Sequence, residues 1–200
     1  MDRKAVVKAQ SRLRVAQKAA NELVECKDFD AFNDVWYTFL TAAKNIYTVL
    51  EQGAKISPQS RQWFGAKKEE RRKDDLLQYL FQARNDDEHG IEPIAEHIPG
   101  FVGIGGGGER YSNSFMFSGG TDASGNFHIS ELESKDGRPV LIEHRPDSVK
   151  LISVKDRGGR LYDPPTSHKG SSLSDNSPLN VAKLALLHLE ALVSEAEKLA

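Results

Sequence analysis

The sequence predicts an α+β fold: an N-terminal α-helical bundle, then a small antiparallel β region, closed by a C-terminal helix. Three observations lead there. Apolar residues recur at helical spacing up to the Leu76–Phe81 stretch. From Pro99 onward glycine and turn residues punctuate short β-branched and aromatic runs. Helical spacing then returns after Ser177-Pro178.

The first helix is expected over residues 4–26, where Val6, Leu13, Ala16, Ala20, Leu23 and Val24 fall near one face. Arg3, Lys4, Lys8, Arg12, Arg14 and Lys18 crowd its first two-thirds and make the most basic surface in the chain. Asp28 or Asp30 can cap a second helix that runs to about Gln52, with Phe32, Trp36, Phe39, Ile46 and Leu50 in a wide apolar stripe. Gly53 ends it. Ser57-Pro58 restarts helix in an N-cap and first-turn pattern, and the charged run Lys67 to Lys73 leads into a helix over Asp74 to Ala83. Each apolar stripe needs a partner, so Phe32, Trp36, Phe39, Leu77 and Leu80 should share one core.

Gly100, Gly103 and the run Gly105 to Gly108 cannot continue a helix and mark a flexible joint. The expected organisation is a helical domain over 1–98, a Gly-rich linker over 99–110, and a β-meander with its closing helix over 111–200. Strand candidates are Tyr111–Phe117, Asn126–Leu132 after Ser124-Gly125, Pro139–His144 after Asp136-Gly137, Val149–Val154, and Arg160–Tyr162 after Gly158-Gly159. Asp163–Pro178 is loop, and its stretch Asp163–Gly170 is polar enough to line a ligand pocket or simply to turn. The last helix carries Leu179, Ala182, Leu186, Leu189 and Val193 on one face, to be covered by the small sheet or by the N-terminal bundle.

Composition narrows the function. A net charge of -2 excludes the globally basic character of a nucleic-acid coat protein, so any RNA contact must rest on local patches. Cys26 is the single cysteine, which excludes an intramolecular disulfide framework and a cysteine-built zinc site and fits the reducing cytoplasm. Met1-Asp2-Arg3-Lys4 is not followed by a signal-peptide core, and Val181–Val193 is broken by Lys183, His188 and Glu190, too short and polar to span a bilayer. His97, His128, His144, His168 and His188 lack any metal-ligand spacing, so no metal is expected. The pattern Gly103-Ile104-Gly105-Gly106-Gly107-Gly108 precedes a strand candidate where a dinucleotide fingerprint demands a helix, so no cofactor is expected either.

The segment with chemistry is Arg84-Asn85-Asp86-Asp87-Glu88-His89-Gly90. A permanently charged guanidinium grips a phosphate with a bidentate fork, and an imidazole exchanges protons near neutral pH. Those two tools suffice to cleave RNA through its own 2'-hydroxyl without a metal. Gly90 and Pro93 place His89 in a last helical turn, where the helix dipole favours a protonated imidazole. Arg84 and Glu88 also stand four apart, the spacing of an ordinary helical ion pair. Five residues of helix turn Arg84 from His89 by about 140°, so both reach one phosphate only through a local distortion or a second subunit.

Arg84-Asn85-x-x-x-His89 resembles the Arg-x4-6-His motif of the HEPN superfamily, including its polar residue directly after the Arg, over roughly residues 1–98. The resemblance implies a helical bundle that dimerises so that two motifs face one cleft. It implies Arg84 and His89 as catalytic pair, Asn85 as a positioning residue and Glu88 as a helper. Active members are metal-independent endoribonucleases of toxin-antitoxin, CRISPR-associated and antiphage systems, so RNA and an antitoxin-like protein become candidate partners. Other members only bind. The competing expectation is therefore a non-catalytic dimerising adaptor whose β part holds a protein or small-molecule ligand.

Overall fold

Local capping chemistry starts every helix. Asp2 accepts from the Lys4 amide at the start of α1 (Arg3–Glu22), and Asp28 accepts from Ala31 at α2 (Phe29–Gly53). Ser57 accepts from Ser60 at α3 (Pro58–Lys73), and Asp74 from Leu77 at α4 (Asp75–His89). Ser177 does the same for Asn180 at α5 (Pro178–Glu197). Pro58 and Pro178 sit in the first turns, where a missing N–H costs nothing. The computed structural model describes residues 1–105, 110–123 and 127–200. Gly106 to Gly108 and the Ser124-Gly125 turn therefore lie outside the described residues.

Two compact units emerge: Met1–His97 with Val149–Ala200, and Ile98–Ser148. In the first, α1 and α2 pack along their lengths and α5 lies against both. Phe32, Trp36, Phe39, Leu77 and Leu80 are all buried there, joined by Val181, Ala185 and Leu189 from α5. The helical bundle thus supplies the partner for the α5 stripe. Residues 149–200, expected to stay with a β domain after 111, return instead to the helices. Gly53 is the last residue of α2 and keeps helical dihedrals, and it is the close approach of α1 that requires a glycine: a Cβ there would stand 2.3 Å from that of Ala5.

The strands are β1 (Ala95–Ile98), β2 (Phe101–Gly105), β3 (Phe115–Thr121), β4 (Phe127–Ser134), β5 (Leu141–Arg145), β6 (Ser148–Leu151), β7 (Val154–Lys155), β8 (Leu161–Tyr162), β9 (Ser167–His168) and β10 (Ser171–Ser172). They form two-stranded ladders rather than the expected meander: β1 with β6, β2 with β5, β3 with β4, β7 with β8 and β9 with β10. Phe101–Gly105, expected within a linker, is a strand whose residues run from opposite Arg145 to opposite Leu141. In the second unit the β3–β4 hairpin is nested in sequence between β2 and β5, and the register shifts between Ser118 and Gly119. Among that unit's described residues only Ser112 is buried, so its ladders have little core of their own.

In the first unit, the loop before α5 is fastened to the start of α4. Asp75 Oδ2 accepts from the amides of Thr166 and Ser167 at 2.7 and 3.0 Å. Asp74 accepts from the Lys169 amide at 2.7 Å and lies 3.0 Å from His168 Nδ1. Burial would raise the Asp74 carboxyl, but these donors together hold it below the ordinary carboxylate range. Thr166, Ser167 and His168 of the Asp163–Gly170 stretch are thereby engaged in holding the loop. Among the described residues no helix is long and apolar enough to cross a membrane.

Candidate functional site

The site stands at the C-terminal end of α4. Leu76, Leu77, Tyr79, Leu80 and Ala83 bury one face of that helix, which fixes its axis and leaves the following polar turns at the surface. Arg84 points along the helix and its side chain is only 12% exposed. One of its terminal nitrogens donates to Glu88 Oε1 at 2.8 Å and the other contacts Oε2, a two-pronged grip. Arg84 Nε is buried and has no hydrogen-bond partner among the described residues.

Glu88 gathers more than Arg84. Its Oε2 lies 3.5 Å from His89 Nε2 and 4.0 Å from Lys44 Nζ. Arg84 and His89, set about 140° apart on an ideal helix, thus reach one carboxylate because Glu88 lies between them and both side chains are long enough to bend towards it. Asn85 accepts from Lys44 Nζ at 2.6 Å, which holds the ammonium beside the motif.

His89 has a second neighbour that the sequence did not announce. Arg157 Nη2 lies 2.9 Å from His89 Nε2. A guanidinium can only donate, so in this contact Nε2 presents its lone pair and the ring proton sits on Nδ1. In this contact Arg157 therefore occupies the Nε2 lone pair. Arg157 is presented by a turn built around Asp156, whose Oδ1 accepts from the amides of Gly158 and Arg160 at 2.8 and 3.0 Å. Gly159 adopts φ 81°, a conformation natural to glycine. The same segment is tied to α4 by the Lys155 amide, which donates to Asp86 Oδ2 at 2.7 Å.

A cavity of about 330 Å³ opens here, walled by Lys44, Gln82, Asn85, His89, Asp156, Arg157 and Gly158. His89 and Asn85 therefore face it, while Arg84 and Glu88 stand behind. The Lys44 ammonium is held below its usual pKa by partial burial first, and then by the positive charges of Arg84, Arg157 and Arg71. Lys44, Arg84 and Arg157 thus gather here with the carboxylates of Glu88 and Asp156. Among the described residues no cluster of His, Cys, Asp and Glu is arranged to hold a metal ion.

Sequence reasoning named Arg84, Asn85, Glu88 and His89 but missed Lys44 and Arg157. Lys44 carried a signal: it is the only Lys or Arg within α2. Arg157 carried a weaker one, a basic residue inside the Asp156-Arg157-Gly158-Gly159 turn. Most cations of the charged run on α3 pair with carboxylates: Lys67 contacts Glu70 and Glu195, Lys68 contacts Glu51, and Lys73 contacts Glu69. No protein-family model matches the chain, and neither the curated proteins nor the solved structures include a match to it.

Proposed function

We propose that this chain is a metal-independent endoribonuclease or RNA-binding protein of the HEPN kind, working as a homodimer in which two copies of the Arg84–His89 motif share one cleft. A toxin-antitoxin or antiphage role goes with that proposal. The observation that carries it is the meeting of Arg84, His89 and Lys44 on the single carboxylate of Glu88. A carboxylate and a phosphate offer an arginine fork the same pair of oxygens, so Glu88 marks where a phosphodiester would sit once its own side chain swings aside. Its side chain is 38% exposed, which leaves room for that rotation.

The chemistry then assigns itself. Once Arg157 turns from it towards the phosphate, His89 Nε2 takes the proton of a ribose 2'-hydroxyl, and that oxygen attacks the adjacent phosphorus. Arg84 and Lys44 offset the charge that builds on the phosphate oxygens. The bond to the 5'-oxygen breaks, and the leaving oxygen takes a proton from the His89 of the second copy. The products are a 2',3'-cyclic phosphate and a 5'-hydroxyl. DNA, without the 2'-hydroxyl, is not a substrate.

One observation favours a second proposal. With its fork filled by Glu88, Arg84 has no donor pair free for a ligand. A non-catalytic adaptor that dimerises through the helices, and binds its ligand elsewhere, needs nothing more. Incubating the purified protein with single-stranded RNA and DNA in the presence of chelator, alongside light scattering at micromolar concentration, separates the two. RNA loss with intact DNA from a dimer supports the nuclease. Intact RNA that also fails to bind, or a monomer, supports the adaptor or removes the shared cleft.

A further inference from the structure

Arg71 differs from the cations that flank it on α3. Lys67, Lys68, Arg72 and Lys73 each face a carboxylate, but among the described residues none pairs with Arg71. Its guanidinium carbon instead lies 3.9 Å from the centre of the Phe81 ring and 5.0 Å from that of Tyr47. An arginine engaged through its flat faces keeps its N–H edge free for acceptors in its own plane. A half-buried guanidinium without a counter-anion is costly, and a bound anion removes that cost.

That side chain helps wall a cavity of about 620 Å³, within the size range of roughly 300–1,000 Å³ usual for small-molecule sites. Lys44, Lys68 and Arg72 also wall it, against the single carboxylate of Glu51. Glu51 is already engaged by Lys68 at 2.7 Å and Lys44 by Asn85 and Glu88, so among the described residues Arg71 is the wall cation left without a paired carboxylate. Phe64 and Phe81 supply the apolar part of the wall beside the cations. Lys44 and Gln82 belong to the walls of this cavity and of the one at His89, so the two are neighbours.

We propose that the Arg71 cavity is a phosphate subsite that holds a backbone phosphate of the same RNA strand whose scissile phosphate lies at Arg84 and His89. The phosphate recognition stands on the cavity alone; the assignment to an RNA strand rests on the function proposed above. A free nucleotide would present the same chemistry.

The test uses the full chain and three probes: a labelled single-stranded oligoribonucleotide, adenosine monophosphate and inorganic phosphate. Each is titrated against the unaltered protein, Arg71→Met, Glu51→Gln and His89→Ala. Arg71→Met should weaken oligoribonucleotide binding about tenfold and flatten its salt dependence by about 0.7 in log-log slope, because one phosphate is no longer neutralised. Glu51→Gln removes the one opposing carboxylate without touching the Arg71 stack, so it should tighten binding even if Arg71→Met folds poorly. His89→Ala serves only to suppress cleavage of the oligoribonucleotide during the titration. Oligoribonucleotide binding insensitive to both Arg71→Met and Glu51→Gln overturns the subsite and leaves the RNA proposal standing. Binding of the mononucleotide or phosphate that depends on Arg71, without RNA binding, keeps the phosphate site and overturns its assignment to RNA. No binding of any probe overturns both.

Discussion

His188 gives a quantitative handle on the helical unit. Its side chain is 3% exposed, its Nε2 lies 2.8 Å from the Tyr47 hydroxyl, and its Nδ1 lies 3.8 Å from Glu70 Oε1. Burial pushes its pKa from 6.5 down to about 4; Glu70 opposes that shift, while Lys169, His168 and Lys67 reinforce it. The folded value lies below the unfolded one, so between those two pH values the unfolded chain takes up a proton that the folded chain refuses. Stability from this group is complete above pH 6.5 and drains away as pH falls to about 4. The difference between the two values amounts to about 3 kcal/mol. His188→Gln removes the titration and keeps a polar partner for Tyr47. Urea denaturation across that window should show the unaltered protein losing about 3 kcal/mol more than the variant. Equal pH dependence in the two proteins would refute the claim that His188 is held neutral by burial. Because Tyr47 also stacks on Arg71, the same experiment reports on the wall of the proposed phosphate subsite.

Three further outcomes are expected. Glu88→Gln should weaken the grip on Arg84 and tighten oligoribonucleotide binding about tenfold, as one charged contact becomes free for phosphate; binding that stays the same or weakens would show that Glu88 does not occupy a phosphate position. Gly53→Ala should destabilise the protein by about 1–3 kcal/mol, because its Cβ would meet that of Ala5, and thermal unfolding measures the loss. Asp75→Ala should raise amide hydrogen exchange at Thr166 and Ser167, whose N–H groups lose their acceptor, while α1 and α2 exchange stays unchanged.

The helices were legible because their signals are local. Asp28, Ser57-Pro58 and Ser177-Pro178 announce the starts of their helices within three or four residues, and the stripe from Phe32 to Leu50 announces the buried face of α2. Strand pairing was not legible, because nothing near Phe101 tells it to face Arg145 across a nested hairpin rather than an adjacent strand. The return of residues 149–200 to the helical unit was open for a related reason: the α5 stripe shows a need for a partner but not which one. At the site, the four motif residues could be named from one helical segment, yet Arg157 reaches His89 from 68 positions away and Lys44 reaches Asn85 from 41.

Identification of the RNA ends left after incubation in chelator, with His89→Ala in parallel, tests the proposed chemistry most directly. A 2',3'-cyclic phosphate on one fragment and a 5'-hydroxyl on the other are predicted, because a 2'-oxygen nucleophile leaves no other pair of ends. His89→Ala should slow their appearance on the order of 10²–10⁴-fold through loss of proton transfer. Cleavage that stops with chelator, that leaves a 5'-phosphate, or that persists undiminished in His89→Ala would contradict catalysis by the Arg84–His89 site.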